Sequence, residues 1–222
     1  MNAGIAVKLK VENRPMADMP EPASMRSAAP TMPAGHSPPS DSLCFSLWDK
    51  YAMLPNVRKH SLVVAHIATT LAGRAQARNI AVDLPHVRAA ALLHDIAKSY
   101  CVQHGGSHAQ LGASWTIAET RNYAVAQAVL LHVYWPWRLP EGDCLCTLPF
   151  FIIYADKRVR HDVCVSLDER YEDLLTRYGH SDAARSGIRK SYEQGKAIER
   201  AFSALLGGAL HEDSFDCGRM VQ

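Results

Sequence analysis

The stretch Ala91-Leu92-Leu93-His94-Asp95-Ile96-Ala97-Lys98 is the most informative part of this 222-residue chain. An apolar run over 89–93 leads into the adjacent His94 and Asp95, so the sequence predicts that a helix carries this pair into the protein core. Burying an imidazole beside an ionised carboxylate is costly unless another group pairs with them. A divalent metal ion would provide that pairing. The stretch therefore indicates a metal site inside a helical domain.

Helical periodicity continues on both sides of this stretch. Apolar residues recur every three or four positions, and no segment shows the sustained alternation of a strand. Helix start signals recur as well: Asp83 precedes Pro85, and Ser166 with Glu169 forms a capping box. The sequence predicts an all-α bundle of about seven to eight helices, over 43–53, 55–78, 83–98, 108–119, 122–133, 147–160, 166–179 and 181–206.

The two ends of the chain differ from this central region. Residues 1–40 hold seven of the twelve prolines and few aromatic or β-branched residues. Such a segment cannot bury enough surface to offset the entropy cost of ordering it. We expect a disordered extension over 1–40, a single domain over 41–208 and a flexible tail over 209–222.

The overall composition points away from several function classes. The formal net charge is only +2, and no apolar run approaches the roughly 20 residues that cross a bilayer. The N-terminus lacks the basic-then-apolar pattern of a secretion signal. We therefore expect no nucleic-acid partner, no membrane association and a cytoplasmic location. The sequence leaves the oligomeric state open.

The second predicted helix contains two histidines that face different directions. Each helical residue turns the chain by about 100°, so His60 lies beside Val57 and Val64 on the apolar stripe. His66 points about 120° away from His60, and the two rings cannot share one site. His60 is therefore the candidate ligand on this helix, with an ordinary hydrogen-bonded core histidine as the alternative.

Three further side chains are candidates for the same site. His132 lies one turn beyond an apolar helical segment, and His108 stands at the start of a helix, where a surface position is the alternative. Asp156 ends the apolar segment Phe-Phe-Ile-Ile-Tyr-Ala-Asp, and a buried Asp nearly always has a partner. Lys157 or Arg158 could be that partner in place of a metal ion.

Taken together, these residues resemble the ordered ligand motifs of the HD-domain superfamily of metal-dependent phosphohydrolases, in the branch with a His-Asp-Ile-Gly motif. The similarity extends over 43–206 and includes small, largely uncharacterised bacterial members. The matching motifs are Lys59-His60-Ser61-Leu62-Val63-Val64-Ala65, Leu92-Leu93-His94-Asp95-Ile96-Ala97-Lys98, His108-Ala109-Gln110-Leu111-Gly112-Ala113, Val129-Leu130-Leu131-His132 and Tyr154-Ala155-Asp156-Lys157-Arg158.

Departures from the family pattern narrow the range of expected substrates. Ala97 replaces the usual Gly, which is a mild change at a helix end. The cyclic-di-GMP phosphodiesterase branch carries a second His and a Gly-Tyr-Pro motif where this chain has Val133-Tyr134-Trp135-Pro136. Alarmone hydrolases carry Glu-Asp shortly after the doublet, where this chain has Ser99-Tyr100. Neither of these two activities is expected.

The resemblance implies one or two divalent metal ions. The first ion would be held by His60, His94, Asp95 and Asp156. Asp95 would bridge to a second ion held by His108 and His132. A donor set of imidazole and carboxylate without thiolate favours Fe, Mn, Co, Ni or Zn over a dedicated magnesium site.

The resemblance also implies a reaction, in which Asp95 would be catalytic. Lys98 lies one turn past His94, so we expect it to be catalytic and to contact a substrate phosphate, with a solvated lysine at a helix end as the alternative. Arg158 is a further candidate for substrate contact, and Lys157 and Arg170 rank beside it. The expected reaction is cleavage of a phosphoester or phosphoanhydride bond in a small phosphorylated molecule, expected to be a nucleotide, by a metal-activated hydroxide. Two alternatives remain: a di-iron oxygenase of the HD type, and a nucleotide-sensing module without catalysis.

Overall fold

The computed structural model describes residues 37–210 and 212–215. Helices account for most of these residues, so the all-α prediction is confirmed. The helices are α1 (Asp41–Lys50), α2 (Pro55–Ala77), α3 (Leu84–Leu93), α4 (Lys98–His104), α5 (His108–Thr120), α6 (Tyr123–Leu131), α7 (Leu148–Lys157), α8 (Leu167–Tyr178) and α9 (Asp182–Leu206). A hairpin of two short strands, β1 (Val159–Arg160) and β2 (Val163–Cys164), follows α7, and 3-10 helices cover Gly142–Leu145 and Glu212–Phe215.

Most helices begin at polar residues that cap their free backbone N–H groups. The side chain of Asp83 accepts a hydrogen bond from the His86 N–H, and Ser166 and Glu169 form the predicted capping box. Proline occupies the first turn of α2, α3 and α7, where its missing N–H costs nothing. No helix in the described part of the chain combines the length and the apolar character needed to cross a bilayer.

The central helix of the bundle is α2, which packs against α3 and α7. Its stripe Val64, Ala68, Leu71 and Ala75 is fully buried. The facing helix α3 contributes a run of buried alanines over 89–91. Small side chains on both helices let their axes approach closely. His60 lies one turn before Val64, so this packing directs it into the interior.

The helix predicted over 83–98 is broken, which corrects the sequence interpretation. α3 ends at Leu93, the next four residues form turns, and α4 begins at Lys98. Within the turns, the N–H groups of Ile96 and Lys98 bond to carbonyls three residues back instead of four. The tighter turns place His94 and Asp95 side by side in the core, each 0% exposed.

The helix predicted over 147–160 also ends early, because the chain turns into the β hairpin. The N–H of Val165 bonds to the carbonyl of Arg158 at 2.8 Å, and Val159 pairs with Cys164. His161, at the turn between the strands, has the left-handed backbone angle φ 60°. The turn of this hairpin places the carbonyl of His161 near α2.

The C-terminal segment packs on the domain within the described residues. Leu210 and Phe215 are buried and belong to the main hydrophobic core. The ring of His66 on α2 contacts the backbone carbonyl of Phe215. The domain therefore continues beyond the boundary expected at residue 208, and the described part of the tail is anchored to it.

Parts of two predictions fall outside the described residues. The disordered extension predicted for 1–40 lies outside them up to residue 36. The flexible tail predicted for 209–222 lies outside them at residue 211 and from residue 216 onward.

Candidate metal centre

The bundle gathers the six predicted ligands at one place. They are His60 from α2, His94 and Asp95 from the turns after α3, His108 from the start of α5, His132 from the end of α6, and Asp156 from α7. His60, His94, Asp95 and His132 are buried, whereas His108 and Asp156 are half-buried. Their donor atoms fall into two groups that meet at Asp95.

The first group surrounds one carboxylate oxygen of Asp156. The Nε2 atom of His60 lies 3.0 Å from Asp156 Oδ1, and the Nε2 atom of His94 lies 3.7 Å from the same oxygen. Both ring nitrogens also approach Asp95 Oδ2, at 3.8 Å from His60 and 3.4 Å from His94. Two imidazoles and two carboxylates therefore converge on one volume.

The second group lies on the other oxygen of Asp95. The Nε2 atoms of His108 and His132 are 3.2 Å apart. They lie 3.4 Å and 3.7 Å, respectively, from Asp95 Oδ1. Because its two oxygens face different groups of side chains, the Asp95 carboxylate offers one donor atom to each group.

Backbone carbonyls orient three of the four imidazole rings. The Nδ1 atoms of His94 and His132 each bond to the carbonyl three residues earlier, Ala91 or Val129, both at 2.7 Å. The Nδ1 atom of His60 bonds to the carbonyl of His161 in the hairpin turn at 2.8 Å. A carbonyl can only accept, so each Nδ1 carries the proton and each Nε2 offers its lone pair to the site. Metal-binding histidines are oriented in this manner.

Two buried donor atoms of the cluster have no hydrogen-bond partner among the described residues, namely His94 Nε2 and Asp95 Oδ1. An unpaired buried polar atom costs free energy, and a metal ion bound by these atoms would remove that cost. Imidazole and carboxylate donors without a thiolate suit a divalent transition metal. The residues present therefore fit the metal that the sequence predicted.

Both carboxylates of the cluster are held in their ionised form. Burial by itself would raise the pKa of Asp95, but the positive charges of Lys98 and His94 outweigh burial and hold that pKa well below its usual range. Burial is likewise outweighed at Asp156, where contacts from His60 and His94 lower the pKa of the carboxyl. Metal binding requires the ionised form of each group.

The pKa values of the histidines differ because the neighbouring charges differ. Burial lowers the pKa of His132 to about 3 and also lowers the pKa of His108, so both rings are neutral at physiological pH. Burial would lower the pKa of His94 as well, but the charges of Asp95 and Asp156 raise it to about 10. A metal ion at His94 Nε2 would replace this proton, because both need the same lone pair.

Lys98 lies at the edge of the cluster. Its Nζ atom is 2.6 Å from Asp95 Oδ2, and its side chain lines the cavity described below. Burial would lower the pKa of Lys98, but the charge of Asp95 outweighs burial and raises that pKa. The residue therefore keeps its positive charge beside the metal ligands.

Arg158 was expected to bind substrate, and this prediction is wrong. Its guanidinium is buried on the far side of α7, where Nε donates to the Val165 carbonyl at 2.7 Å and an Nη atom donates to the Leu210 carbonyl at 3.2 Å. The same group lies 3.4 Å from Glu199. Two helical residues span about 200°, so Arg158 faces away from the site that Asp156 faces.

A cavity of about 710 Å³ opens onto the cluster. Apolar residues cover part of its wall, including Val57, Val102, Val133, Leu174 and Tyr178. Beyond the metal ligands and Lys98, its charged lining residues are Lys59, Lys157, Asp162, Arg170 and Arg177. The cavity therefore combines apolar surface with an excess of positive charge.

Sequence reasoning identified Lys157 and Arg170 as candidates and missed two other contributors. Arg177 lies seven residues after Arg170, which returns it to the same face of α8, so helical spacing could have found it. His161 orients His60 through its backbone carbonyl. A backbone contact between distant segments leaves no side-chain signature in the sequence.

One family model matches part of the chain. Residues 57–160 match the family model described as the HD domain. All six clustered side chains lie within the matched stretch. No curated protein and no solved structure matches the chain.

Proposed function

We propose that this protein is a metal-dependent phosphohydrolase of the HD-domain superfamily, and that it cleaves a phosphoester or phosphoanhydride bond in a small phosphorylated molecule. A single observation carries the proposal: the Nε2 atoms of four histidines approach the two carboxylate oxygens of Asp95, while His94 Nε2 and Asp95 Oδ1 have no hydrogen-bond partner among the described residues. Such an arrangement costs free energy unless it binds a ligand that pairs with both kinds of atom.

The two groups of donor atoms support a site with two ions. His60, His94 and Asp156 would hold one ion, and His108 and His132 would hold the other. Asp95 would contribute one oxygen to each. When bound, a pair of divalent ions lowers the pKa of a water ligand and stabilises negative charge on an attacked phosphorus.

The residues around the ligands have roles that follow from their positions. The Asp95 carboxylate supplies negative charge between the two groups, and Lys98 lies 2.6 Å from it with its ammonium at the cavity. We assign to Lys98 the contact with a phosphate oxygen of the substrate. The buried carbonyls bonded to Nδ1 hold the rings of His94 and His132 in the ligand orientation.

The cavity supports a nucleotide as the class of substrate. Its volume of about 710 Å³ lies within the range of about 300–1,000 Å³ that is typical of small-molecule sites. Leu174 and the ring of Tyr178 offer apolar surface for a base, and the lysines and arginines of the wall offer charge for phosphate. A substrate with a flat apolar part and an anionic part fits both features.

Assays of the purified full-length protein with added metal test this proposal. The protein is freed of metal, supplied in turn with Mn, Fe(II), Co, Ni or Zn, and incubated with nucleotides and simple phosphoesters. We expect phosphate release that requires metal and is absent in Asp95→Asn. Oxygen uptake with iron and no phosphate release would instead identify an oxygenase. Tight nucleotide binding without turnover under every metal would identify a sensing module.

A further inference from the structure

We propose that Arg170, Arg177 and Lys157, which line the same cavity as the metal centre, form a second phosphate-binding site, so that the substrate carries at least two phosphate groups. This inference rests on the proposed function and specifies its substrate class. The metal ions would take the phosphate that is attacked, and the second site would take another phosphate of the same molecule.

Arg170 is the centre of the proposed site. It lies on α8, is only 9% exposed, and lines the cavity. One of its Nη atoms donates to Asp173 Oδ2 at 2.6 Å. Its Nε atom is buried and has no hydrogen-bond partner among the described residues. A guanidinium presents several N–H groups in one plane that match the oxygens of a phosphate, and the described residues use only part of the donor set of Arg170.

Arg177 extends the site along α8. Seven residues separate it from Arg170, which places both on one face of the helix, and both line the cavity. Asp173 lies between them, and its Oδ2 atom is 3.6 Å from an Nη atom of Arg177. One carboxylate therefore orients two guanidinium groups and can neutralise only one of them.

Lys157 contributes a third positive charge from α7. It is buried, and its Nζ atom donates to the Val133 carbonyl at 2.9 Å. Within the described ranges, no carboxylate oxygen lies within salt-bridge distance of this Nζ atom. Gly195 on α9 makes room for the side chain, because a Cβ atom there would lie 3.1 Å from Lys157 Cδ. The absence of a side chain at Gly195 thus lets the Lys157 chain reach the cavity.

Among the described residues that line this cavity, positively charged side chains outnumber negatively charged ones. Lys98 is paired with Asp95, and Lys59 and Asp162 at the cavity carry opposite charges. After Asp173 has neutralised one guanidinium, the other guanidinium and Lys157 remain. Like charges that line one cavity repel one another, and a second phosphate would relieve that repulsion.

Binding of inorganic pyrophosphate and orthophosphate to the metal-loaded full-length protein tests the inference. Calorimetric titration of both probes is made on the wild type, Arg170→Gln, Arg177→Gln and Arg185→Gln, with metal content measured before and after. Arg185 is the matched control, since it pairs with Asp182 on an exposed helix face at 2.6 Å, as Arg170 pairs with Asp173.

We expect pyrophosphate to bind at least about tenfold more tightly than orthophosphate, since each added charged hydrogen bond contributes on that scale. Arg170→Gln should weaken pyrophosphate binding about tenfold or more and Arg177→Gln less, while orthophosphate binding changes by less than about twofold. Arg185→Gln should alter neither. If Arg170→Gln does not fold, the half-exposed Arg177 still tests the site.

Two results would overturn the inference. One is equal affinity for the two probes. The other is an equal loss of both affinities in Arg170→Gln or Arg177→Gln, which would mean that these residues serve a single phosphate. The proposed function can fail independently of this inference. Selective pyrophosphate binding without phosphate release from any substrate would support the second phosphate site and reject hydrolysis. Metal-dependent phosphate release with no preference for either probe would support hydrolysis and reject the second phosphate site.

Discussion

The Nδ1 atom of His60 donates a hydrogen bond of 2.8 Å to the backbone carbonyl of His161, which lies 101 positions later in the chain. This contact fixes the ring of a metal ligand on α2 to the turn of the hairpin after α7. His161 adopts φ 60° to present its carbonyl. The orientation of His60 therefore depends on a left-handed residue that carries no ligand atom itself.

Two substitutions at His161 should separate its backbone role from its side chain. His161→Gly should retain metal affinity, because glycine adopts a positive φ without steric cost. His161→Val should strain the turn by about 1–3 kcal/mol and move the carbonyl, lowering metal affinity about tenfold. Competition with a chelator measures the metal affinity of both variants. Equal affinities in the two variants would argue against the positioning role.

The two histidines of α2 should differ in their effects. His60→Ala removes a ligand that lies 3.0 Å from Asp156, so metal and phosphate release should be lost. His66→Ala removes only a contact with the Phe215 carbonyl, so metal content should be kept, with a stability loss of about 1 kcal/mol. Elemental analysis and thermal unfolding give the two readouts. Loss of metal from His66→Ala alone would reverse the assignment.

Several features of the centre could be predicted from the sequence. The 3.6-residue period placed His60 on the buried stripe of α2, and the polar caps Asp83 and Ser166 marked helix starts that the structure has. The apolar segments before His132 and Asp156 indicated that both side chains point inward. The sequence pattern was sufficient to predict these features, because each depends only on the position of a residue along a single helix.

Other features depend on contacts between distant segments and could not be predicted. The break after Leu93 follows a run of the good helix formers Ala and Leu, and no Gly or Pro marks it. Arg158 follows a ligand closely in sequence, yet its partners include Val165 just after the hairpin, Glu199 on α9 and Leu210 beyond α9. The burial of Phe215 likewise requires a surface that only the folded domain provides.

Arg158 should behave as a core residue. Arg158→Met removes the donor of the buried Leu210 and Val165 carbonyls and one of the cationic partners of Glu199, so unfolding free energy should fall by about 3 kcal/mol or more. In the folded fraction, the KM for substrate should stay close to that of the wild type. Denaturant unfolding measures the free energy of unfolding, and steady-state kinetics measure the KM. A raised KM with unchanged stability would restore Arg158 to the binding site.

His108 and His132 should matter only for the second ion. Their Nε2 atoms face Asp95 Oδ1 and lie apart from the contacts that His60 and His94 make with Asp156. His108→Ala and His132→Ala should each lower metal content from about two ions per chain towards one, with a large loss of turnover. His108 is the cleaner test, because it is half-buried and its truncation leaves a smaller cavity. An unchanged metal content in both variants would leave them as cavity residues.

The most direct measurement is elemental analysis of the metal-loaded wild type beside Asp95→Asn. A neutral amide of nearly the same shape keeps the packing but cannot balance two divalent ions, and Asp95 faces both groups of ligands. We expect about two ions per chain in the wild type, and the loss of at least one of them together with all phosphate release in Asp95→Asn. A wild type that binds no stoichiometric metal, or an Asp95→Asn variant that retains both ions and full turnover, would contradict the account.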